Sequence, residues 1–184
     1  ACSYTRTTGI WQTVWLEFVG QRYLTHARMI PSAADSALNI TVFADNAKPG
    51  DQVRMKAYYN GRCVGACNTI LMGQNAATRI EISETHLWAP GAPELYELTL
   101  ELLDRSGNIL DTVESYFALR DVSLSKRALM INGKPVFMRL ILDQGFNPEG
   151  IYTAPSDDFI RRDIELSMAL GFNGARLHQR VFEE

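Results

Sequence analysis

Between Arg22 and Leu119 the chain alternates apolar and polar residues with a period of two, in seven runs at roughly 22–30, 37–45, 51–59, 62–70, 76–82, 94–104 and 109–119. A period of two places alternate side chains on opposite faces of an extended strand, so each run predicts a half-buried strand. Leu38, Ile40 and Val42 share one face, as do Val53, Met55 and Ala57, and later Tyr96, Leu98, Leu100 and Leu102. Those faces are the predicted core. An earlier run, GIWQTVWLEFV from Gly9 to Val19, sets Ile10, Val14, Leu16 and Phe18 against Trp11 and Trp15, and so predicts a strand needing cover on both sides. With no partner before it, it reads as the last strand of a preceding domain.

The connections carry matching turn chemistry. Lys48-Pro49-Gly50-Asp51 places Pro where φ is preset and Gly where φ can be positive, and Ser106-Gly107-Asn108 closes a hairpin. Seven short antiparallel strands in about 100 residues, with no helical period among them, predict an immunoglobulin-like β-sandwich. The Cys, Trp, Cys spacing of antibody domains is absent.

After Arg120 the pattern changes. Leu129 to Met138 predicts a short hairpin around Asn132-Gly133, a pair suited to a type I′ turn, and Val136 to Leu142 reads as one apolar strand. A polar loop, DQGFNPEGIYTAP, leads to a helix with Ser156 as N-cap, Asp157 and Asp158 in its first turn, Ile160, Ile164 and Met168 on one face, and Gly171 as its stop. Phe172 to Leu177 predicts a second strand, parallel to the first. A lone strand, helix, strand unit cannot cover both faces of a parallel sheet, so it is expected to open a longer structure. The fold class is therefore mainly β: an immunoglobulin-like antiparallel sandwich followed by a partial α/β segment.

Composition narrows the chemistry. With 46% hydrophobic and 21% charged residues the chain can bury a real core and is not of a disordered type. A net charge of -3 supplies no basic surface for phosphates, so nucleic acid is excluded as an expected partner; no segment reaches membrane-spanning length. Cys63 and Cys67 sit too close on one strand to join two sheets and are expected as packed thiols. His26, His86 and His178 are scattered singly, so neither a metal nor another cofactor is expected. There is no leader pattern to fix a compartment.

Several strings resemble glycoside hydrolase family 2, whose members include β-galactosidases and β-glucuronidases. RTTGIWQTVWLE from Arg6 to Glu17 is similar to the end of that family's jelly-roll sugar-binding domain, LWAPGAPELYELTLEL from Leu87 to Leu102 to its sandwich signature, and FALRDV from Phe117 to Val122 to the sandwich exit strand. INGKPVFMR from Ile131 to Arg139, followed by LDQGFNPEGIYTAPSDD and GFNGARLHQ, resembles the opening of its (β/α)₈ barrel, a TIM barrel. The resemblance implies three parts: residues 1–19 as the final jelly-roll strand, 20–120 as the sandwich and 121–184 as the start of a catalytic barrel. It further implies retaining hydrolysis of a β-glycosidic bond by two glutamates about 5 Å apart. Both are expected beyond Glu184, so the chain holds no catalytic residue and is expected to be inactive by itself. A carbohydrate substrate and neighbouring domains of the same chain are the implied partners.

Barrel sites form at the C-terminal ends of strands, which singles out Asp143 and Gln144 after the first strand and Arg176 and His178 after the second as substrate-binding candidates. Asp143 has two open roles, a hydrogen-bond acceptor for a sugar or an orienting Arg, and a carboxylate that caps its own loop. Asn173-Gly174-Ala175-Arg176 fits the family's Asn, two residues, Arg pattern, after which Leu177-His178-Gln179 departs from the expected small residues and His-Tyr-Pro. Arg176 is expected either to touch sugar or to be a buried arginine paired with a carboxylate. His26 and His86 are expected as half-buried sandwich side chains; Trp11, Trp15 and Trp88 suit a core or domain interface better than sugar stacking. Glu183 and Glu184 are neighbours that point in opposite directions. Two other functions compete: a stand-alone immunoglobulin-like carbohydrate- or protein-binding module, which leaves the helix after Ser156 surplus, and a small hydrolase using Asp143 with Glu149 or Asp157, which lacks a rigid opposing wall.

Overall fold

The computed structural model describes residues 8–10 and 12–178. Each of the seven alternating runs is a strand: β1 (Tyr23–Ser32), β2 (Ala37–Asp45), β3 (Gln52–Tyr59), β4 (Arg62–Ile70), β5 (Asn75–Glu81), β6 (Tyr96–Leu103) and β7 (Ile109–Phe117). They form two antiparallel sheets, one ordered β1-β2-β5 and the other β4-β3-β6-β7. Their facing side chains share one core: Leu38, Ile40, Val42 and Ile80 from the first sheet, and Val53, Met55, Ala57, Leu98, Leu100 and Leu102 from the second. Burying each of the larger side chains contributes about 1.5–3 kcal/mol, which is why the alternation dictates the sandwich. The fourth strand pairs with β3 rather than with β5, so the sheets hold three and four strands in place of the constant-type immunoglobulin arrangement.

Tyr96 closes one end of this core. Its ring is fully buried and stacks on Phe117 at 5.0 Å, while its hydroxyl donates to the Glu84 carbonyl at 2.7 Å and accepts the His86 N–H at 2.6 Å. A tyrosine at the head of this strand that ties back to the preceding connection is the tyrosine corner of immunoglobulin-like sandwiches. Burial raises its pKa above the ordinary tyrosine value.

Two sequence expectations fail within this region, both for reasons of pairing. The run from Gly9 to Val19 carries no strand among its described residues, because a strand needs a hydrogen-bonded neighbour and none of the described strands pairs with it. Ile10, Val14, Leu16 and Phe18 are exposed there, as is Trp15, whose indole donates to Glu17 at 2.9 Å; Trp11 lies outside the described residues. Cys63 and Cys67 were expected to be packed alike. Instead a bulge shifts the β3–β4 register between Ala57 and Tyr58, so Cys67 lies opposite core-facing Met55 while Cys63 lies opposite Tyr58 and is exposed. One inserted residue sends the two thiols to opposite faces.

Beyond the sandwich, β8 (Val122–Leu124), β9 (Leu129–Ile131) and β10 (Lys134–Val136) make a small antiparallel sheet. Asn132 and Gly133 take φ of 50° and 72°, the paired positive values a type I′ turn demands. Asn132 also uses its side chain twice, donating to the Trp88 carbonyl at 2.9 Å and accepting the Asp121 N–H at 3.0 Å. Arg120 lies over the Trp88 ring at 4.5 Å. Those bonds hold the hairpin to the sandwich, and Phe18–Val136 is one compact unit.

The second unit contains the described residues from Phe137 onward together with those before Phe18. Here β11 (Leu140–Asp143) pairs in parallel with β12 (Gly174–Leu177), and α1 (Asp157–Ala169) connects them. The apolar stretch from Val136 to Leu142 is therefore not one strand: Val136 finishes β10, residues 137–139 are irregular, and pairing begins at Leu140. Ser156 caps α1 by accepting the Phe159 N–H, and Asp157 and Asp158 occupy its first turn. At its other end Gly171 has φ 85°, its N–H donates to Met168 O at 2.9 Å and the Phe172 N–H to Ser167 O at 3.1 Å, which is a Schellman motif. No described helix is long and apolar enough to cross a membrane.

Candidate functional site

The parallel pair brings the C-terminal ends of β11 and β12 side by side. Its rungs are Leu140↔Gly174, Ile141↔Ala175, Leu142↔Arg176 and Asp143↔Leu177. Two local contacts go with this register. Asn173 stitches the start of β12 to the residues before β11: its side chain accepts the Arg139 N–H at 2.8 Å and donates to Phe137 O at 2.9 Å, while its own N–H donates to Arg139 O at 3.0 Å. Gly174 then lies close to Leu140: a Cβ there would stand 2.8 Å from Leu140 Cδ2, so that side chain would have to shift to admit one. Within Asn173-Gly174-Ala175-Arg176, the first two residues are structural.

At the C-terminal ends of the two strands, the His178 N–H donates to Asp143 O at 2.8 Å, continuing the ladder by one bond. Gln144 Nε2 lies 3.2 Å from His178 Nδ1. With the amide nitrogen facing the ring, Gln144 donates and Nδ1 accepts. Asp143 Oδ1 accepts the Gly145 N–H at 2.8 Å, the short-range bond by which an aspartate folds the chain after it. The structure thus joins Gln144 to His178 through side chains and Asp143 to His178 through backbone.

Arg176 stands apart. Partners on a rung share a face, so Arg176 projects with Leu142 and Asp143 projects with Leu177 on the other side. Arg176 is exposed, and no described carboxylate forms an ion pair with it. Glu149 and Asp157 are exposed as well, the first in the loop and the second opening α1. Glu183 and Glu184 lie outside the described residues.

The sequence predicts a polar loop with two glycines, Gly145 and Gly150, after β11. The structure closes it with an Asn147–Ile151 bridge and sets the rings of Phe146 and Tyr152 edge to face, with centroids 5.5 Å apart. Its signal in the sequence was two aromatics bracketing the turn residues Asn147-Pro148-Glu149-Gly150. In the sandwich, His86 is half-buried as expected and stacks on Tyr59 at 3.7 Å, whereas His26 is exposed and stacks on Phe43 at 4.1 Å. Edge strand β1 carries His26 on its outer surface, which is why it escapes burial.

The model of the glycosyl hydrolases family 2 matches residues 24–120. The chain is similar to a β-galactosidase of Lactococcus lactis subsp. lactis (strain IL1403), 28% identical over 176 residues, covering 93% of this chain and 17% of that protein. It is 34% identical over 97 residues to β-galactosidase 2 of Enterobacter cloacae, covering 53% of this chain and 9% of that one. Among solved structures, a β-glucuronidase of Bifidobacterium dentium superposes with a TM-score of 0.77 at 23% identity, over 85% of this chain and 27% of that one. A family 2 member from Bacteroides cellulosilyticus gives 0.77 at 18% identity, over 88% and 23%. The chain therefore spans at most about a quarter of these proteins, and the structural likeness speaks to fold.

Proposed function

We propose, on the premise that this chain belongs to the family 2 glycosyl hydrolases, that it forms the sandwich and the barrel-opening part of a retaining β-glycosidase. The observation that carries this reading is the family match over the sandwich, continued by a parallel strand, helix, strand unit whose strand ends gather Gln144 and His178. In this reading residues 1–19 end a jelly-roll domain, 20–120 are the spacing sandwich, and 121–184 begin the catalytic barrel. The bond broken is an O-glycosidic bond between a β-linked sugar and its leaving group.

Retaining hydrolysis needs one carboxylic acid to protonate the leaving oxygen and one carboxylate to attack the anomeric carbon, about 5 Å apart. Asp143 Oδ1 accepts the Gly145 N–H, and Glu149 and Asp157 lie exposed, in a loop and at its helix junction. The two glutamates are accordingly assigned to other parts of the enzyme. Gln144 and His178 present an amide and an imidazole N–H at the strand ends, a pairing suited to binding sugar hydroxyls rather than to attacking carbon. Arg176, two residues before His178 and in step with it along β12, is assigned to contacts beside them.

The test is a panel of nitrophenyl β-glycosides offered to this chain and to a longer version that runs through the whole barrel. Turnover by the longer version alone is the expected outcome. Turnover by the 184 residues, abolished by Asp143→Asn, would overturn it and place a complete active site in the loop after β11. Silence from both would favour a binding module.

A further inference from the structure

The loop after β11 is built more tightly than a connection requires. Strand-to-helix loops in α/β units are commonly about 2–6 residues, and this one runs from Gln144 to Ser156. Within it the Asn147 N–H donates to Ile151 O at 2.6 Å and the Ile151 N–H to Asn147 O at 3.0 Å, and a further bond runs from the Thr153 N–H to Gly150 O at 3.0 Å. A Cβ on Gly150 would fall 1.8 Å from Thr153 O, so no other residue fits there. Ile151 is held at φ 58°, a left-handed conformation that a β-branched residue strongly disfavours. A strained residue persists only where its surroundings over-determine it, and such residues cluster where a ligand must meet a preset shape.

What this closed turn sets in place is an aromatic pair. Phe146 and Tyr152 flank it, with ring planes at 75° and centroids 5.5 Å apart. Phe146 is 40% exposed, and Tyr152, packed against it, is half-buried. Gln144, two residues before Phe146, holds His178, so a pair of polar groups and a pair of rings issue from the same strand end. Binding sites combine such ingredients, apolar walls for area and a few polar groups for orientation.

From this juxtaposition we infer that Phe146, braced by Tyr152, is a ring-binding wall of the substrate site, taking the apolar face of a substrate ring while Gln144 and His178 bind its polar edge. This rests on the glycosidase reading above. The ring is either the sugar's own C–H face or an aromatic leaving group; both offer the same chemistry to Phe146.

The experiment uses the full-length enzyme that carries this segment, with Phe146→Ala, Phe146→Leu and Phe146→Tyr. KM and kcat are measured on a nitrophenyl and a methyl glycoside of one sugar, alongside Tm. Loss of the ring in the Ala and Leu variants is expected to raise KM roughly three- to tenfold, with kcat within about twofold, and Phe146→Tyr is expected to restore it. A rise for both substrates identifies the sugar ring; a rise for the nitrophenyl glycoside alone identifies the leaving group. If the unaltered enzyme is active and KM stays put on both, the inference fails while the glycosidase reading stands. A rise that follows a fall in Tm and resists rescue by tyrosine makes Phe146 structural and equally overturns it. An enzyme that hydrolyses no glycoside takes both down together.

Discussion

Asp51 is the buried charged residue among the described positions, 1% exposed, and it closes the turn from β2 to β3. Its Oδ1 accepts Arg22 Nη1 at 2.7 Å, its Oδ2 accepts the Lys48 N–H at 2.8 Å, and its own N–H donates to Lys48 O at 3.0 Å. One carboxylate thus ties the start of β1 to that turn. Removing one partner of a buried ion pair costs about 3–5 kcal/mol, because the other charge is stranded. Arg22 keeps 20% of its side chain in solvent, so water partly replaces it, and Arg22→Ala is expected at about 2–3 kcal/mol. Asp51→Ala loses both side-chain bonds and orphans the Lys48 N–H, for about 3–4 kcal/mol. Because both changes remove one interaction, the double variant should fall short of their sum by about 1.5–3 kcal/mol.

Urea unfolding followed by circular dichroism gives these values, provided the slope of stability against urea is unchanged between variants. Arg62→Ala serves as the control. Its pair with Glu84 is as short, 2.7 Å, but the side chains are 68% and 34% exposed, and surface pairs contribute about 0–1 kcal/mol. If Arg22→Ala costs no more than Arg62→Ala, or if the Arg22 and Asp51 changes simply add, burial is not what gives this pair its weight and the reasoning fails.

Gly65→Ala tests the close approach of β4 to the end of β5: the new Cβ would stand 2.6 Å from Glu81 O and 2.9 Å from Ile80 Cγ2. Val64 O, which accepts the Ser83 N–H at 2.8 Å, anchors that backbone, so about 1–3 kcal/mol of stability should be lost, and an unchanged Tm would show that the strands separate freely. Glu101 tests pH dependence. Its bond from Arg54 at 2.5 Å holds its carboxyl below the ordinary 4.5, so the folded state binds that proton less readily than the unfolded chain. The resulting stability is complete above 4.5 and drains away as pH falls through the depressed value, and the gap between wild type and Glu101→Gln should close over that acid range. A gap that stays constant down to pH about 2 would assign the loss to packing alone.

The sandwich was legible because its alternation is clean and its turns agree with it. Strand windows read from residues alone differ from the observed ones by at most two residues at most ends, as in 76–82 against Asn75–Glu81. Where the reading failed, the missing quantity was a partner. Gly9 to Val19 has the residues of a strand with two apolar faces, yet a pattern states only which faces a strand would have, and a ladder needs a neighbour to form. The bulge that separates Cys63 from Cys67 is of the same kind, since an extra residue in β4 is defined only against β3.

The same physics divides the candidate site. Helix capping and the parallel pairing of β11 with β12 follow from local chemistry, so the strand ends that present Gln144 and His178 could be located by counting along the chain. Which face a side chain takes cannot be counted in that way, because a shift of one residue between strands exchanges the faces of one relative to the other. Here the register goes with the bonds from Asn173 to Phe137 and Arg139, contacts between residues 34 or more positions apart. In that register Arg176 falls in step with Leu142 and away from Asp143. Nearness to a strand end therefore brought four residues under suspicion, and only register could show that Arg176 lies in step with His178 while Asp143 takes the other face.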